Sequence, residues 1–361
     1  MKKTLLLSTA LVAFGGMAVA DVALTGRAEM GIEGGSDENN ADFFTDIDVT
    51  FTMSGETDGG LSFGASVDLD EGGDGSPASD DNTDDGGATI FISGGFGTLT
   101  MGDTDGALDW ALVDAGNNGN GGSLDDDETT HAGYLGAYLD GAYDGQIARY
   151  DYSFGDFGVA ISAETDDSDD DGDDDGERDT GYAIGFKYDT DLGGAALSLG
   201  IGYQYADGGY NLKFEQFDDG QVIDTAVVGG LGDTDAVGVS ISAAFTNGLT
   251  AGMTYNSWDV SDDDGAEADI QHVGVGIGYT TGALTLHANY GVFEIDDLAD
   301  IGDATIDGYG LSVAYDLGGG AVVHLGYGNS SYDLDDDLAA ATGLDDDGDG
   351  STYSFGLGLS F

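Results

Sequence analysis

The chain has 361 residues, of which 71 are Asp or Glu and seven are Lys or Arg, a formal charge of −64. Such a balance repels nucleic acid and attracts cations. With no Cys and one Pro, Pro77, it also excludes a disulfide framework and a thiolate metal site, so stability has to come from the regular structure of a chain holding 66 Gly, 18 Tyr and 16 Phe.

Met1 to Ala20 carries Lys2 and Lys3, an apolar stretch and small residues at Ala18 and Ala20 before Asp21, the pattern of a cleavable secretory leader. No later stretch approaches the roughly 20 apolar residues of a membrane-spanning helix. The expectation is export, with residues 1–20 as signal peptide and 21–361 as one domain.

Sixteen segments then alternate apolar with small or polar residues, the period of a half-buried strand. They are Val22–Glu33, Phe43–Ser54, Leu61–Asp70, Ala88–Ser93, Gly97–Gly102, Ile147–Phe154, Gly158–Glu164, Tyr182–Tyr188, Ala196–Ala206, Ala236–Phe245, Leu249–Trp258, Ile270–Tyr279, Ala283–Val292, Tyr309–Asp316, Ala321–Gly328 and Ser351–Phe361. In the last, Tyr353, Phe355, Leu357, Leu359 and Phe361 share one face against Ser354, Gly356, Gly358 and Ser360. That is how a strand of a transmembrane barrel reads, with lipid on one side, and the C-terminal Phe is taken as part of an assembly signal.

Connections alternate in length. Thr246-Asn247-Gly248, Thr280-Thr281-Gly282 and Gly155-Asp156 read as tight turns. Between the turns lie eight long acidic links: Gly34–Asp42, Glu71–Gly87, Asp103–Gly145, Thr165–Asp179, Asp207–Asp235, Ser261–Asp269, Glu294–Thr305 and Asn329–Gly350. The prediction is an all-β, 16-stranded antiparallel transmembrane β-barrel with both termini periplasmic and long loops outside; Asn211–Phe217 either extends a strand or belongs to a loop. A soluble β-sandwich does not account for an apolar face repeated sixteen times, and a calcium-loaded solenoid needs a fixed period that is absent.

Gly94–Asp103 (GGFGTLTMGD) and Gln146–Phe154 (QIARYDYSF) resemble the strands that lead into and out of the longest loop of Gram-negative porins of the alphaproteobacterial type. With the leader and the last strand, the resemblance extends over essentially the whole mature chain. It implies a homotrimer in the outer membrane, among lipid and lipopolysaccharide, passing small hydrophilic solutes and cations. It also implies that the third long loop, Asp103–Gly145, folds inward and narrows the pore. Trp110, Leu112, Tyr134, Leu135 and Tyr138 could pack on the inner wall, beside the carboxylates of Asp103, Asp105, Asp109, Asp114, Asp125, Asp126, Asp127 and Glu128.

In such porins a basic cluster faces the carboxylates of the inner loop. Here Arg149 matches the family's strand arginine, and Arg27 and Lys187 fall on the lumen face by alternation, as do Asp46, Asp48, Asp68 and Asp151. Many relatives carry Gly-Arg where this chain has Gly102-Asp103, so the basic side is thin and cation selectivity is expected.

Asp345, Asp347 and Asp349, and Asp171, Asp173 and Asp175, fit the first half of a calcium-binding D-x-D-x-D-G loop, but the bidentate Glu at the twelfth position is missing. They are candidates for structural calcium only, with solvated acidic loops as the alternative; no cofactor is required. His272, His287 and His324 alternate onto the lumen face and His131 lies in the long loop, none beside a nucleophile motif. They read as scattered polar lumen residues, and no enzyme is expected. The reading is a general diffusion porin; the alternative is a non-conducting structural or adhesive barrel with acidic loops.

Overall fold

The computed structural model describes residues 21–36, 41–72, 87–114, 116, 118–124, 126, 128–136, 146–165, 180–207, 210–218, 221–231, 233–261, 267–298 and 301–361. Its elements run β1 (Asp21–Gly35), β2 (Asp42–Glu56), β3 (Ser62–Gly72), β4 (Ala88–Gly94), β5 (Gly97–Gly102), α1 (Ala107–Ala111), β6 (Ile147–Phe154), β7 (Phe157–Glu164) and β8 (Gly181–Asp191). They continue with β9 (Ala195–Ala206), β10 (Tyr210–Asp218), β11 (Gln221–Leu231), β12 (Asp233–Phe245), β13 (Leu249–Ser261) and β14 (Glu267–Thr281). The last are β15 (Leu284–Leu298), β16 (Gly302–Gly318), β17 (Ala321–Leu334), α2 (Asp336–Thr342) and β18 (Asp347–Ser360).

Each barrel strand pairs antiparallel with its neighbour, β9 pairs with β12, and β18 returns to β1, so sixteen strands close a barrel. Closure leaves no sheet edge, which a strand surrounded by hydrocarbon requires. At the seam Ala28 faces Leu359, Met30 faces Leu357 and Ile32 faces Phe355, and Phe361 N–H donates to the Gly26 carbonyl at 2.9 Å. The side chains of Tyr353, Phe355 and Phe361 are exposed on the outside, as the terminal alternation predicts. So are Ile47, Phe51 and Met53, and Ile184, Phe186 and Ile201.

The strands reach beyond the apolar alternation. Glu294–Thr305, expected as a long loop, lies largely in β15 and β16, which pair as far as Leu298 opposite Gly302. Ladder hydrogen bonds continue a hairpin past the height at which side chains need to be apolar. The link Asp207–Asp235 holds a separate two-stranded hairpin, β10 with β11, and Asn211–Phe217 falls inside β10.

The lumen face also departs from expectation. Trp258, Val260, Ala268, Ile270, Ile295, Ala304 and Leu334 are buried with Leu338 of α2 and Leu344 in one apolar cluster. These strand positions share the inward phase of Asn256, His272 and Asn289. Apolar residues are tolerated inside the barrel here because they bury one another, with Leu338 and Leu344 completing the cluster.

Candidate pore constriction

The long third loop leaves β5 at Gly102, whose φ of +121° is open to glycine. A Cβ there would run into the Ala88 carbonyl, and Asp103 N–H donates to that same oxygen at 3.0 Å. The chain then turns into α1, which buries Ala107, Leu108 and Ala111. Ala107 N–H donates to Ser162 Oγ of β7 at 2.9 Å. Gly185 and Gly200 present bare backbone to the carbonyls of Ala107 and Ala111, so closely that a methyl group would collide with each.

Beyond α1 the loop follows the wall strand by strand. Val113 N–H donates to Ser240 Oγ of β12 and Thr254 Oγ1 of β13 donates to the Val113 carbonyl, both at 2.9 Å. Ser312 Oγ of β16 donates to Asn120 Oδ1 at 2.6 Å, and His324 Nδ1 of β17 meets the Gly122 carbonyl at 2.9 Å. Leu124 packs against Gly31 of β1 and Gly356 of β18. The return leg is held by Asn289 Nδ2 donating to the Thr129 carbonyl at 2.7 Å, Ala132 N–H donating to Ser330 Oγ at 2.9 Å, and His272 Nε2 at 3.0 Å from the Gly133 carbonyl. These wall groups alternate with exposed apolar residues such as Ile241, Met253, Leu311 and Leu325. The loop is therefore inside the barrel, laid along β7 to β18 and reaching β1.

The wall of β2 to β6 keeps part of its surface. Asp46 and Asp48 of β2 point inward and are half-buried. Asp68 of β3 accepts from Thr50 Oγ1 at 2.9 Å. The three basic side chains of the described residues whose surroundings are defined all stand close to partners. Arg27 is 2.7 Å from Glu29 and lies opposite Asp48 in register. Arg149 bonds the Asp105 carbonyl and lies 3.8 Å from the carboxylates of both Asp105 and Asp151. Lys187 Nζ sits 3.7 Å from the centre of the Trp110 ring, a cation–π contact that ties β8 to the loop.

The loop carboxylates divide. Asp103 and Asp105 are exposed and Asp109 is half-buried on α1. Asp114 accepts from Tyr134 Oη and from Gly116 N–H, the latter at 2.8 Å, and Asp126 accepts from Ser123 N–H at 2.8 Å. Glu128 is 1% exposed, turned away from the lumen onto Gly326 and Ser123. It therefore does not line a constriction, because it lies on the underside of the loop. Asp125, Asp127 and Tyr138 lie outside the described residues, as do residues 1–20 and Asp171, Asp173 and Asp175. The calcium candidate at Asp345, Asp347 and Asp349 is not formed as expected: Asp347 and Asp349 run in extended β18, paired with Asp333 and Ser331. An extended chain spreads carboxylates rather than converging them with Asp345. Among the described residues no three His, Asp or Glu side chains gather as a metal site.

Sequence reasoning missed the groups that hold the loop. Leu108 and Leu124, each 1% exposed, are its apolar anchors, and the histidines are contacts of the loop rather than scattered lumen residues. The available signal was that His272, His287 and His324 share the inward phase of strands β14, β15 and β17.

A closed sixteen-stranded barrel, apolar outside and carrying a loop along its inner wall, has the form of a transmembrane β-barrel channel. A profile of Gram-negative porins matches residues 7–336, and the chain belongs to that family, as an outer-membrane porin channel. A porin of Rhodobacter capsulatus is 29% identical over 312 residues, spanning 84% of this chain and 92% of that protein. Among solved structures, a porin refined at 1.8 Å aligns with a TM-score of 0.64 at 23% identity, covering 94% of this chain and 100% of that one. An anion-selective porin from Comamonas acidovorans aligns with a TM-score of 0.65 at 15% identity, covering 95% and 100%. Since the fold accommodates anion selectivity, the ion preference of this chain has to be argued from its own charges.

Proposed function

We propose that the barrel is a general diffusion pore for small hydrophilic solutes that favours cations. The observation that carries this is the charge of the open wall. Asp46, Asp48, Asp68 and Asp151 stand on strands β2 to β6 with Asp105 of the loop close by, while Arg27 and Arg149 each stand beside a carboxylate. A narrow aqueous path lined by one sign of charge between low-dielectric walls concentrates the opposite ion. In a planar bilayer under a KCl gradient, the reversal potential should have the sign of K⁺ preference; a Cl⁻-favouring potential overturns the selectivity.

A homotrimer belongs to the same reading. Strands β4 to β7 are 7, 6, 8 and 8 residues long, short of the roughly 9–11 residues that cross a bilayer. A neighbouring barrel covers such a low wall better than lipid does. Migration of unheated protein as a monomer after cross-linking argues against it. We further propose that divalent cations bridge the acidic outer loops to lipopolysaccharide diffusely rather than at a built site. Calcium should then raise the melting temperature equally in wild type and in Asp345→Ala/Asp347→Ala; loss of the shift in the variant contradicts the diffuse account.

A second reading, a non-conducting barrel that binds a partner, is favoured by one observation. The β10–β11 hairpin comes into contact with β18, six strands around the ring from β12. Folded protein without conductance would select it.

A further inference from the structure

The chain contains four histidines, and all four are buried where the third loop meets the wall. His131 is 6% exposed, His272 3%, His287 5% and His324 5%. His272 and His324 each use one ring nitrogen on a loop carbonyl, of Gly133 and Gly122 respectively. A carbonyl oxygen only accepts, so that nitrogen carries the proton, and in the neutral ring the other nitrogen is bare. For His272 the bare atom is Nδ1, enclosed without a protein partner, and its ring packs on Phe293 with centroids 4.5 Å apart. His131, on the loop itself, is enclosed with neither ring nitrogen in a well-formed hydrogen bond; the Asn289 side chain lies beside it.

The charged and titratable groups around these rings are few and set back. Asp307, on the outward phase of β16 with Tyr309 and Leu311, and His272 act on His131 electrostatically, and Asp114 and Tyr290 share the recess of those two rings. Asp126 faces His287. Gly122 is flanked by the Asp126 carboxylate and the His324 ring, while Glu29, 2.7 Å from Arg27, and the His324 ring approach Gly358 from two sides. Among the described residues no ion pair joins any of the four histidines to a carboxylate. Protonation in the docked state would thus add a charge, and for His272 a donor without a protein acceptor, inside a buried interface.

We propose that His131 and His272, which meet in one recess between loop and wall, form an acid-released latch: neutral, they hold the third loop on the wall; protonated, they detach it into the lumen. Burial supports the direction, since it pushes the His131 pKa from its ordinary 6.5 down to about 4. A group whose pKa is lowered on docking contributes its full stabilisation above pH 6.5 and loses it as pH falls towards 4. Within that window each pH unit shifts the docking equilibrium about tenfold per uncompensated histidine.

The loop's release depends only on its docking, whereas the accompanying fall in conductance also depends on the pore reading. The absence of Cys allows a single nitroxide at Ala132→Cys, an exposed position whose N–H bonds Ser330. Spin-label spectra of the folded, reconstituted barrel should gain a reversible mobile component with a midpoint between pH 4 and 6.5. In the His131→Gln/His272→Gln background the component should be reduced at least tenfold at pH 5. A label that stays immobile to pH 4, a midpoint below 4 where carboxylates titrate, or an unchanged pH response in the double variant overturns the latch. The wild-type midpoint decides the matter even if the double variant does not fold. A mobile label with unchanged conductance would retain the latch and reject its effect on the pore.

Discussion

The inner wall of this barrel has two halves that obey the same alternation and carry different residues. From β7 to β18 the inward positions include Ala160, Ser162, Gly185, Gly200, Gly238, Ser240, Asn256, His272, Asn289, Gly310, Ser312 and Gly326, most of them buried beneath the loop. From β2 to β6 they include Asp46, Asp48, Thr50, Thr52, Asp68, Thr98, Thr100, Arg149 and Asp151, half-buried or exposed. The difference lies in what each half meets. A wall that receives another backbone needs small residues and single hydrogen-bonding groups, so that desolvated loop amides and carbonyls find partners. A wall that meets water can carry full charges at little cost.

The sharpest way to break this contrast is to disturb the packed half. Leu108→Ala removes a side chain 1% exposed, wedged beside Gly202 and Gly238, and should cost about 2–5 kcal/mol of stability, read as a lower urea midpoint with unchanged slope. Gly200→Val should follow at about 1–3 kcal/mol, since its branched side chain meets the Ala111 carbonyl. Thr52→Ala, at an inward but exposed position of β2, should change stability by less than about 0.5 kcal/mol. Equal effects at Gly200 and Thr52 would mean that the loop does not bear on the wall.

Much of this fold is legible in the sequence because the membrane imposes one rule on every outward side chain. The sixteen barrel strands follow from Val22, Ile47, Ile184, Leu357 and their like recurring at period two, and tight turns from links such as Thr246-Asn247-Gly248. The inner face obeys no comparable rule. Trp258 and Ile270 are inward yet apolar because they sit in one buried cluster with Phe293, Ile295 and Leu338 of α2, and no local pattern announces partners that come from another strand and from residues 336–342. Glu128 lies within an acidic run that reads as solvent-facing, but the loop's twist places it beneath. Likewise Gly is informative only as a class: that Gly185 receives Ala107 is a tertiary fact, and Gly102 is marked as the glycine before the long loop only by the resemblance of Gly94–Asp103 to the porin strand.

The boundary between the halves offers a smaller and more selective test. Arg149 and Lys187 stand where the open wall gives way to the covered one, and each is engaged by the loop's first turn, through Asp105 and Trp110. Their charges are thus partly spent within the wall. On the open side, Asp48→Asn/Asp68→Asn removes two carboxylates from the half-buried stripe. Each should lower the K⁺ over Cl⁻ permeability ratio by about twofold, the effect of a few tenths of a kcal/mol per screened charge in water. Lys187→Gln should raise that ratio by less than either carboxylate lowers it, because its ammonium lies over the indole ring rather than in the path of ions. Reversal potentials measured at low and high KCl distinguish the two, since the carboxylate effect should shrink as salt rises. If Lys187→Gln moved the potential more than Asp48→Asn/Asp68→Asn, the selectivity would lie in the boundary cations, and the open acidic wall would be a solvated surface with little say in which ion passes.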